Sequence, residues 1–253
     1  MSNFTRTLGS IKQNNMTNFF IDIIDTIDNS VDGNSIPNVN PTEIYNEGWM
    51  TRLLVYTSIN QKLKINDFLD FSIIKNWSSE GLISSPFIDA RKNREGYTHA
   101  DMALGDFEIN YSNRGQIEIR DEAKLFGIIE AKMRSNLSKG TTNAKDYNQA
   151  SRNLACISYN ANGNCKTFFA VVAPEAMIEN HAIKEQIEPN KMLSQIRNRY
   201  TLSGLAIDTD LLTRAAKSEI FVLSYEDWID RLTGSDKEYA KKFYDNCKKW
   251  NRL

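Results

Sequence analysis

Glu130, Ala131 and Lys132 lie near the end of the apolar run LFGIIEAKM at positions 125–133. Read as a strand, the run alternates faces, so Ile128, Glu130 and Lys132 share one side. Ile129, Ala131 and Met133 share the other and can enter a core. A carboxylate and an ammonium then project together from a rigid element. That pairing suits hydrolysis of a phosphodiester: Glu130 can hold a divalent cation, while Lys132 can orient a water or stabilise charge developing on phosphorus. A second carboxylate is needed, and Asp101 heads the segment THADMALGDFEI, which can form a strand beside 125–133. Glu47, in NEGWMTR, offers a third. Asp106 and Asp89 compete with Asp101. Asp106 follows Gly105 and suits a bulge or turn, and Asp89 sits among Arg91, Lys92 and Arg94. Asp101 heads its segment without interrupting it, and is preferred.

The tripeptide Glu130-x-Lys132 is short, and Glu122-Ala123-Lys124 repeats its pattern. Glu122 follows Arg120 and Asp121, which suits an exposed turn. Glu130 instead emerges from Phe126, Ile128 and Ile129, where charge is costly unless paired or used. The plainer alternatives are a Glu130–Lys132 surface pair and a Glu47 ion pair with Arg52. His99, two residues before Asp101, is given no catalytic role.

These residues need elements to position them. Apolar spacing predicts a helix over 16–28 and the polar stretch 29–40 a loop. Asn40, Pro41 and Glu43 read as the cap, first position and capping-box acid of a helix running through TEIYNEGWMTRLLVYTSIN, with Trp49 and Tyr56 on its core face. Residues 67–76 read as a further short helix closed by WSSEGL. PFIDAR, YTHADMALGDFEI, QIEIR and LFGIIEAKM read as strands. A helix of about 17 residues follows, capped by Thr141 or Thr142. On it Lys145, Gln149 and Arg152 make a polar stripe facing a phosphate or the metal ligands, opposite Tyr147, Ala150, Leu154 and Ile157. KTFFAVVAP reads as a strand buried on both faces. Residues 174–215 are expected to be largely helical, IFVLSY a last strand, and 226–250 terminal helices in which Trp228 and Trp250 are anchors. The order is that of an α/β sandwich. The run Arg91-Lys92-Asn93-Arg94 is the best local basic patch, suited to a phosphate backbone.

Composition sets the bounds. The chain has 253 residues, 41% hydrophobic and 25% charged, with a net charge of −1. This is enough chain for a full core, and the charge argues against a protein that coats nucleic acid non-specifically. Three dispersed cysteines and two histidines support neither a zinc ribbon, a disulfide framework nor a histidine-rich zinc hydrolase. Any catalytic metal must be held by carboxylates, which suits Mg²⁺ or Mn²⁺. No apolar signal core or membrane-length run is present, so a soluble, cytoplasmic protein is expected.

A helix with Glu47, a strand headed by Asp101, a strand bearing Glu130-x-Lys132, and a helix with Gln149 and Arg152 together resemble the PD-(D/E)xK nuclease superfamily. The resemblance covers about residues 41–173. It implies a restriction endonuclease-like α-β-β-β-α-β core with a mixed central sheet, helical additions at both ends, an N-terminal helix and linker over 1–40, and a C-terminal α/β extension over 174–253. It further implies that Asp101 and Glu130 are metal ligands, with Glu47 and the Ala131 carbonyl as further ones, and that Lys132 is the catalytic lysine. Gln149 resembles the glutamine that some members carry on the following helix. Two departures stand out: Ala100 precedes Asp101 in place of proline, and Asn153 occupies the fourth position after Gln149, where the RecB-like branch has tyrosine. The expected activity is Mg²⁺-dependent cleavage of DNA, of a restriction or phage-defence type, by a chain that can form homodimers. The alternatives are an RNA-directed nuclease and a non-catalytic nucleic-acid-binding or assembly protein with the same core.

Overall fold

The computed structural model describes residues 24, 25, 27, 39–140, 144–180 and 182–253. The expected front helix, apart from three of its positions, and the caps Thr141 and Thr142 lie outside these residues.

The chain forms an α/β fold around one seven-stranded mixed sheet, in the order β3-β4-β1-β2-β5-β6-β7. The strands are β1 (Asn76–Ile83), β2 (Thr98–Gly105), β3 (Phe107–Asn110), β4 (Gln116–Ile119), β5 (Leu125–Ala131), β6 (Lys166–Ala173) and β7 (Glu219–Ser224). β2 runs antiparallel to β1 and β5, while β5, β6 and β7 run parallel. Helices cover both faces. On one lie α2 (Gln149–Asn160), α5 (Pro189–Ser203) and α6 (Thr209–Lys217), packed on Phe126, Ile128, Phe169 and Val171. On the other lie α1 (Glu47–Gln61), α7 (Tyr225–Arg231) and α8 (Gly234–Asn251), packed on Leu125, Ile129, Phe168 and Val172. Two short helices, α3 (Glu175–Glu179) and α4 (Ala182–Gln186), link β6 to α5. Strict alternation along β5 and β6 feeds both cores, which is why the two runs are apolar throughout. Among the described residues, no helix is long and apolar enough to cross a membrane.

Several expected elements differ, each for a local reason. The helix expected from Asn40 is only a 3-10 turn over Pro41–Glu43, and α1 starts afresh at Glu47 with Asn46 as its cap, accepting from Trp49 N–H. Residues 67–76 are not helical. Asn66 accepts from the backbone of Phe68 and Leu69, and Asp70 from that of Ser72, so side chains take the donors a helix would need. WSSEGL does not close that segment; it is most of β1. PFIDAR is a pair of turns in which the Phe87 carbonyl accepts from Ala90 and Glu95. The helix after β5 starts six or seven residues later than expected, at Gln149, because Asn148 caps it by accepting from Ser151 N–H. Lys145 and Tyr147 therefore precede it. Trp49 and Tyr56 share a face as the spacing required, but that face is turned outward, at 47% and 58% exposed.

One irregularity bears on the site. In the β1–β2 ladder Ser79 pairs with Met102 and Gly81 with Ala100, so Glu80 and Asp101 are passed over. The β2–β5 ladder likewise stops at Met102. Ala100 and Met102, two residues apart, consequently enter opposite cores. Glu80 has φ of 55°, a left-handed conformation that takes it out of regular strand geometry at this break in the pairing.

Candidate functional site

The carboxyl end of β5 lies between the first turn of α1 and the first turn of α2. Freed from the ladder, Asp101 turns its carboxylate to the end of β5, where Oδ2 accepts from Ala131 N–H at 2.8 Å. Asp101 lies close enough to Glu130 for its charge to bear on that carboxyl. Glu130 and Lys132 are on the α2 side, as alternation requires, and Lys132 Nζ donates to Glu130 Oε1 at 2.7 Å. Glu47 stands at the start of α1 over the same point, close enough to Lys132 and Asp101 to feel both charges. Glu47, Asp101, Ala131 and Lys132 line one cleft of about 400 Å³, together with Arg52 and Trp49. The residues expected to act together are thus brought together. Among the described residues, no three His, Cys, Asp or Glu side chains already converge on a single metal-sized point.

Glu130 is not a surface pair. It is fully buried, and α2 holds it from behind: Gln149 Nε2 donates to Oε1 at 2.6 Å and Asn153 Nδ2 to Oε2 at 2.8 Å. Gln149 and Asn153 are one helical turn apart, so both reach the same carboxylate. Gln149 also accepts from Ser138 N–H, tying the loop after β5 to the helix. Asn153 is the residue that sequence reasoning missed. Its four-residue spacing from Gln149 was the available signal, but it was read only as a missing tyrosine.

The electrostatics follow from burial. Desolvation, with the nearby Asp101 charge, pushes the Glu130 carboxyl up to about 8, against the opposing pull of Lys132. Burial of Lys132 works against its charge, yet attraction to Glu130 and their hydrogen bond outweigh it and hold the ammonium above its ordinary range. Lys132 is therefore a charged donor at neutral pH, not a base. Burial also raises Glu47, with Lys132 opposing and Asp101 reinforcing.

The remaining candidates go elsewhere. Arg52 donates to Ser79, lies 3.9 Å from Glu80 and stacks 5.0 Å over Trp49. Arg152 faces away from the cleft: its Nε lies 2.7 Å from Glu95 Oε1, although the N–H is not aimed along that line. Asp106 is buried, accepting from Lys124 N–H and pairing with Lys75 at 3.0 Å. It secures the turn after Gly105, where a side chain would strike the Leu125 carbonyl. Glu122 and Lys124 are exposed, as expected for that turn.

Comparison with protein-family models, with curated proteins and with solved structures finds no match to this chain.

Proposed function

We propose that the protein is a metal-dependent phosphodiesterase of the PD-(D/E)xK type, with DNA as its substrate. The observation that carries this reading is the meeting of Asp101, Glu130 and Lys132 at the end of β5, with Glu47 above them. The succession α1, β1, β2, β5, α2, β6 is consistent with the α-β-β-β-α-β core, with β3 and β4 inserted as a hairpin.

The donor set of carboxylate oxygens and the Ala131 carbonyl fits Mg²⁺ or Mn²⁺, which prefer oxygen ligands. Burial chiefly raises the Glu130 carboxyl and the Asp101 charge adds to it against Lys132, so a dication that offsets the two carboxylates would fit here. Asp101, Glu130, Glu47 and the Ala131 carbonyl would hold the ion, which supplies Lewis-acid stabilisation of the phosphoryl oxygens. The Lys132 ammonium, released from Glu130, would orient the attacking water and stabilise the charge gathering on phosphorus. Gln149 and Asn153 keep the Glu130 carboxylate in one rotamer, so it needs no reordering at each turnover.

One observation favours a second reading, a non-catalytic module with this core: Glu130 is wholly buried and both its oxygens are occupied. Supercoiled plasmid, linear duplex, single-stranded DNA and RNA incubated with Mg²⁺ separate the readings. Nuclease action predicts cleavage of one of these substrates that is lost in Lys132→Ala and Asp101→Asn without loss of binding in EDTA. Wild type and Lys132→Ala that bind alike and leave all four substrates intact would refute it in favour of the module.

A further inference from the structure

The face of α1 that turns away from the sheet carries a groove beside the cleft. Trp49 and Tyr56 come from that face of α1, Trp77 from β1 and Tyr239 from α8, and all four line one cavity of about 590 Å³. Trp77 reaches this side because it pairs with Leu104, whose side chain packs in the core under α1. The rings are open to solvent: Trp49 is 47% exposed, Tyr56 58%, Trp77 38% and Tyr239 52%. Large apolar side chains gathered in one exposed patch mark an interaction site.

The groove's position and its single charge say what it holds. It is continuous with the cleft, since Trp49 and Arg52 line both. Trp49 is two residues from Glu47 in the first turn of α1, so its ring stands at the cleft mouth. Arg52 is the one charged side chain among the described residues that line the groove. Its Nε donates to Ser79, and its Cζ lies 5.0 Å over the Trp49 ring. Nη2 is 3.9 Å from Glu80, beyond hydrogen-bond length, and the side chain is 25% exposed, so the outer N–H groups can meet an anion from solvent. Glu80 lines the cleft but not the groove. An apolar protein surface seated here would cover the Arg52 charge without pairing it. A nucleic-acid strand offers both partners, a phosphate for the guanidinium and flat bases for the rings.

We propose that this groove holds unpaired DNA bases stacked on Trp49 and Trp77, with Arg52 on a phosphate of the strand as it enters the cleft. The substrate is then a single strand or a single-stranded end, because the bases of an intact duplex are stacked on one another and have no free faces to offer. The proposal rests on the nuclease reading of the Asp101–Glu130–Lys132 cleft for where the strand leads; the stacking itself needs no metal.

Intrinsic tryptophan fluorescence in EDTA tests it with two probes, a short oligothymidylate and an abasic oligonucleotide of equal length. Trp228 is fully buried, so quenching lost on substitution of Trp49 or Trp77 reports stacking on that ring. Oligothymidylate should quench wild type and bind roughly tenfold or more tighter than the abasic strand, a comparison that needs no variant. Trp49→Leu and Trp77→Leu should each weaken oligothymidylate binding about tenfold, affect the abasic strand far less, and melt close to wild type because both rings are open to solvent. Arg52→Gln should weaken both probes. Equal affinity of wild type for the two probes, binding without quenching, or no binding of either would overturn the proposal. If neither binds and Trp49→Leu turns a dimer into a monomer in analytical ultracentrifugation, the occupant is a second copy of the chain. Quenching that Trp49→Leu removes, in a protein that cuts no DNA with Mg²⁺, keeps the stacking groove and refutes the nuclease reading. Wild type that cuts blunt duplex as fast as single strand, with Trp49→Leu equal to it, keeps the nuclease and refutes the groove.

Discussion

Replacing Asn153 by leucine tests whether α2 is built to hold Glu130. The substitution nearly conserves volume and removes one donor, Nδ2, 2.8 Å from Glu130 Oε2. A hydrogen bond to a charged acceptor contributes about 1.5–3 kcal/mol, and Oε2 would have no replacement at this buried position. Asn153 Oδ1 is itself buried without a partner, so its removal returns roughly 1 kcal/mol. The net loss is about 0.5–2 kcal/mol, which for a chain of this size lowers Tm by roughly 1–8 °C. Urea melts at pH 9, above the raised Glu130 carboxyl at about 8, measure it with that group ionised. The decisive version is a cycle with Glu130→Gln and the double mutant. If Asn153 acts through Glu130, the double mutant should fall short of additivity by about 1 kcal/mol. Under the proposed function, Asn153→Leu should also weaken Mn²⁺ binding about 10–100-fold, as loss of a ligand's supporting partner does. Additive stabilities with unchanged Mn²⁺ affinity would refute the claim that Asn153 positions Glu130.

Three further outcomes follow from the same geometry. Because the Glu130 pKa is raised, the folded protein binds a proton there more tightly than the unfolded chain; that stability is present below about 4.5 and is lost as pH rises through about 8. Magnesium competes with this proton, so scanning fluorimetry should show a larger Mg²⁺-induced rise in Tm at pH 8.5 than at pH 6; an equal rise would remove Glu130 from the ligand set. Burial of Asp106 raises its carboxyl, but the Lys124 N–H and Lys75 together outweigh this and the net pKa is lowered, so its contribution to stability is lost as pH falls below the usual 3.8. Asp106→Asn should lower Tm at pH 7 yet leave the cleavage rate of the folded fraction unchanged, whereas a rate loss like that of Asp101→Asn would reopen the choice between them. Arg152→Met should destabilise by roughly 2 kcal/mol in denaturant melts, because it leaves Glu95 buried with only the Ser85 hydroxyl for company. Neutrality would mean that the misaligned 2.7 Å approach contributes nothing.

Much of this arrangement was legible wherever a periodic signal met no local competitor. The β5 alternation put Glu130 and Lys132 on one face and Met133 in the core, and both hold. β6 was recognisable because both its faces are buried. The errors fall where an Asx side chain intercepts the backbone: Asn46 and Asn148 each start a helix later than the apolar pattern suggests, and Asn66 and Asp70 hold 67–76 in turns. Periodicity cannot see such bonds, which depend on the rotamer of one residue. Nor does it report which way a helix faces: Trp49 and Tyr56 share a stripe, but Met50, Leu54 and Val55 take the sheet. The break in pairing that frees Asp101 was invisible for a related reason, since it coincides with the left-handed Glu80 on the neighbouring strand.

That break in pairing also accounts for how a charged cluster is tolerated at the end of an otherwise apolar sheet. In a regular β2, Asp101 would complete the ladder between Glu80 and β5, and its carboxylate would be fixed by strand parity. Skipping the pair instead lets the side chain cap Ala131 N–H, a donor at the strand end that would otherwise lack a sheet partner on that side. Asp101 thereby comes beside Glu130, a like charge whose repulsion helps raise the Glu130 pKa. Lys132 is drawn onto Glu130 by the same field, and the amides of α2 complete the shell. The cluster is therefore satisfied but strained electrostatically, two carboxylates against one ammonium with Glu47 close by. Under the proposed function this is the useful state: Asp101 and Glu130 would hold a dication that offsets their repulsion, leaving the Lys132 ammonium available to the substrate. An inert structural role would need Asp101 only for its cap on Ala131 N–H. Asp101→Asn should therefore raise the Tm of the metal-free protein while abolishing its response to Mg²⁺, and a metal-free Tm that falls would show that the carboxylate is there to cap the strand.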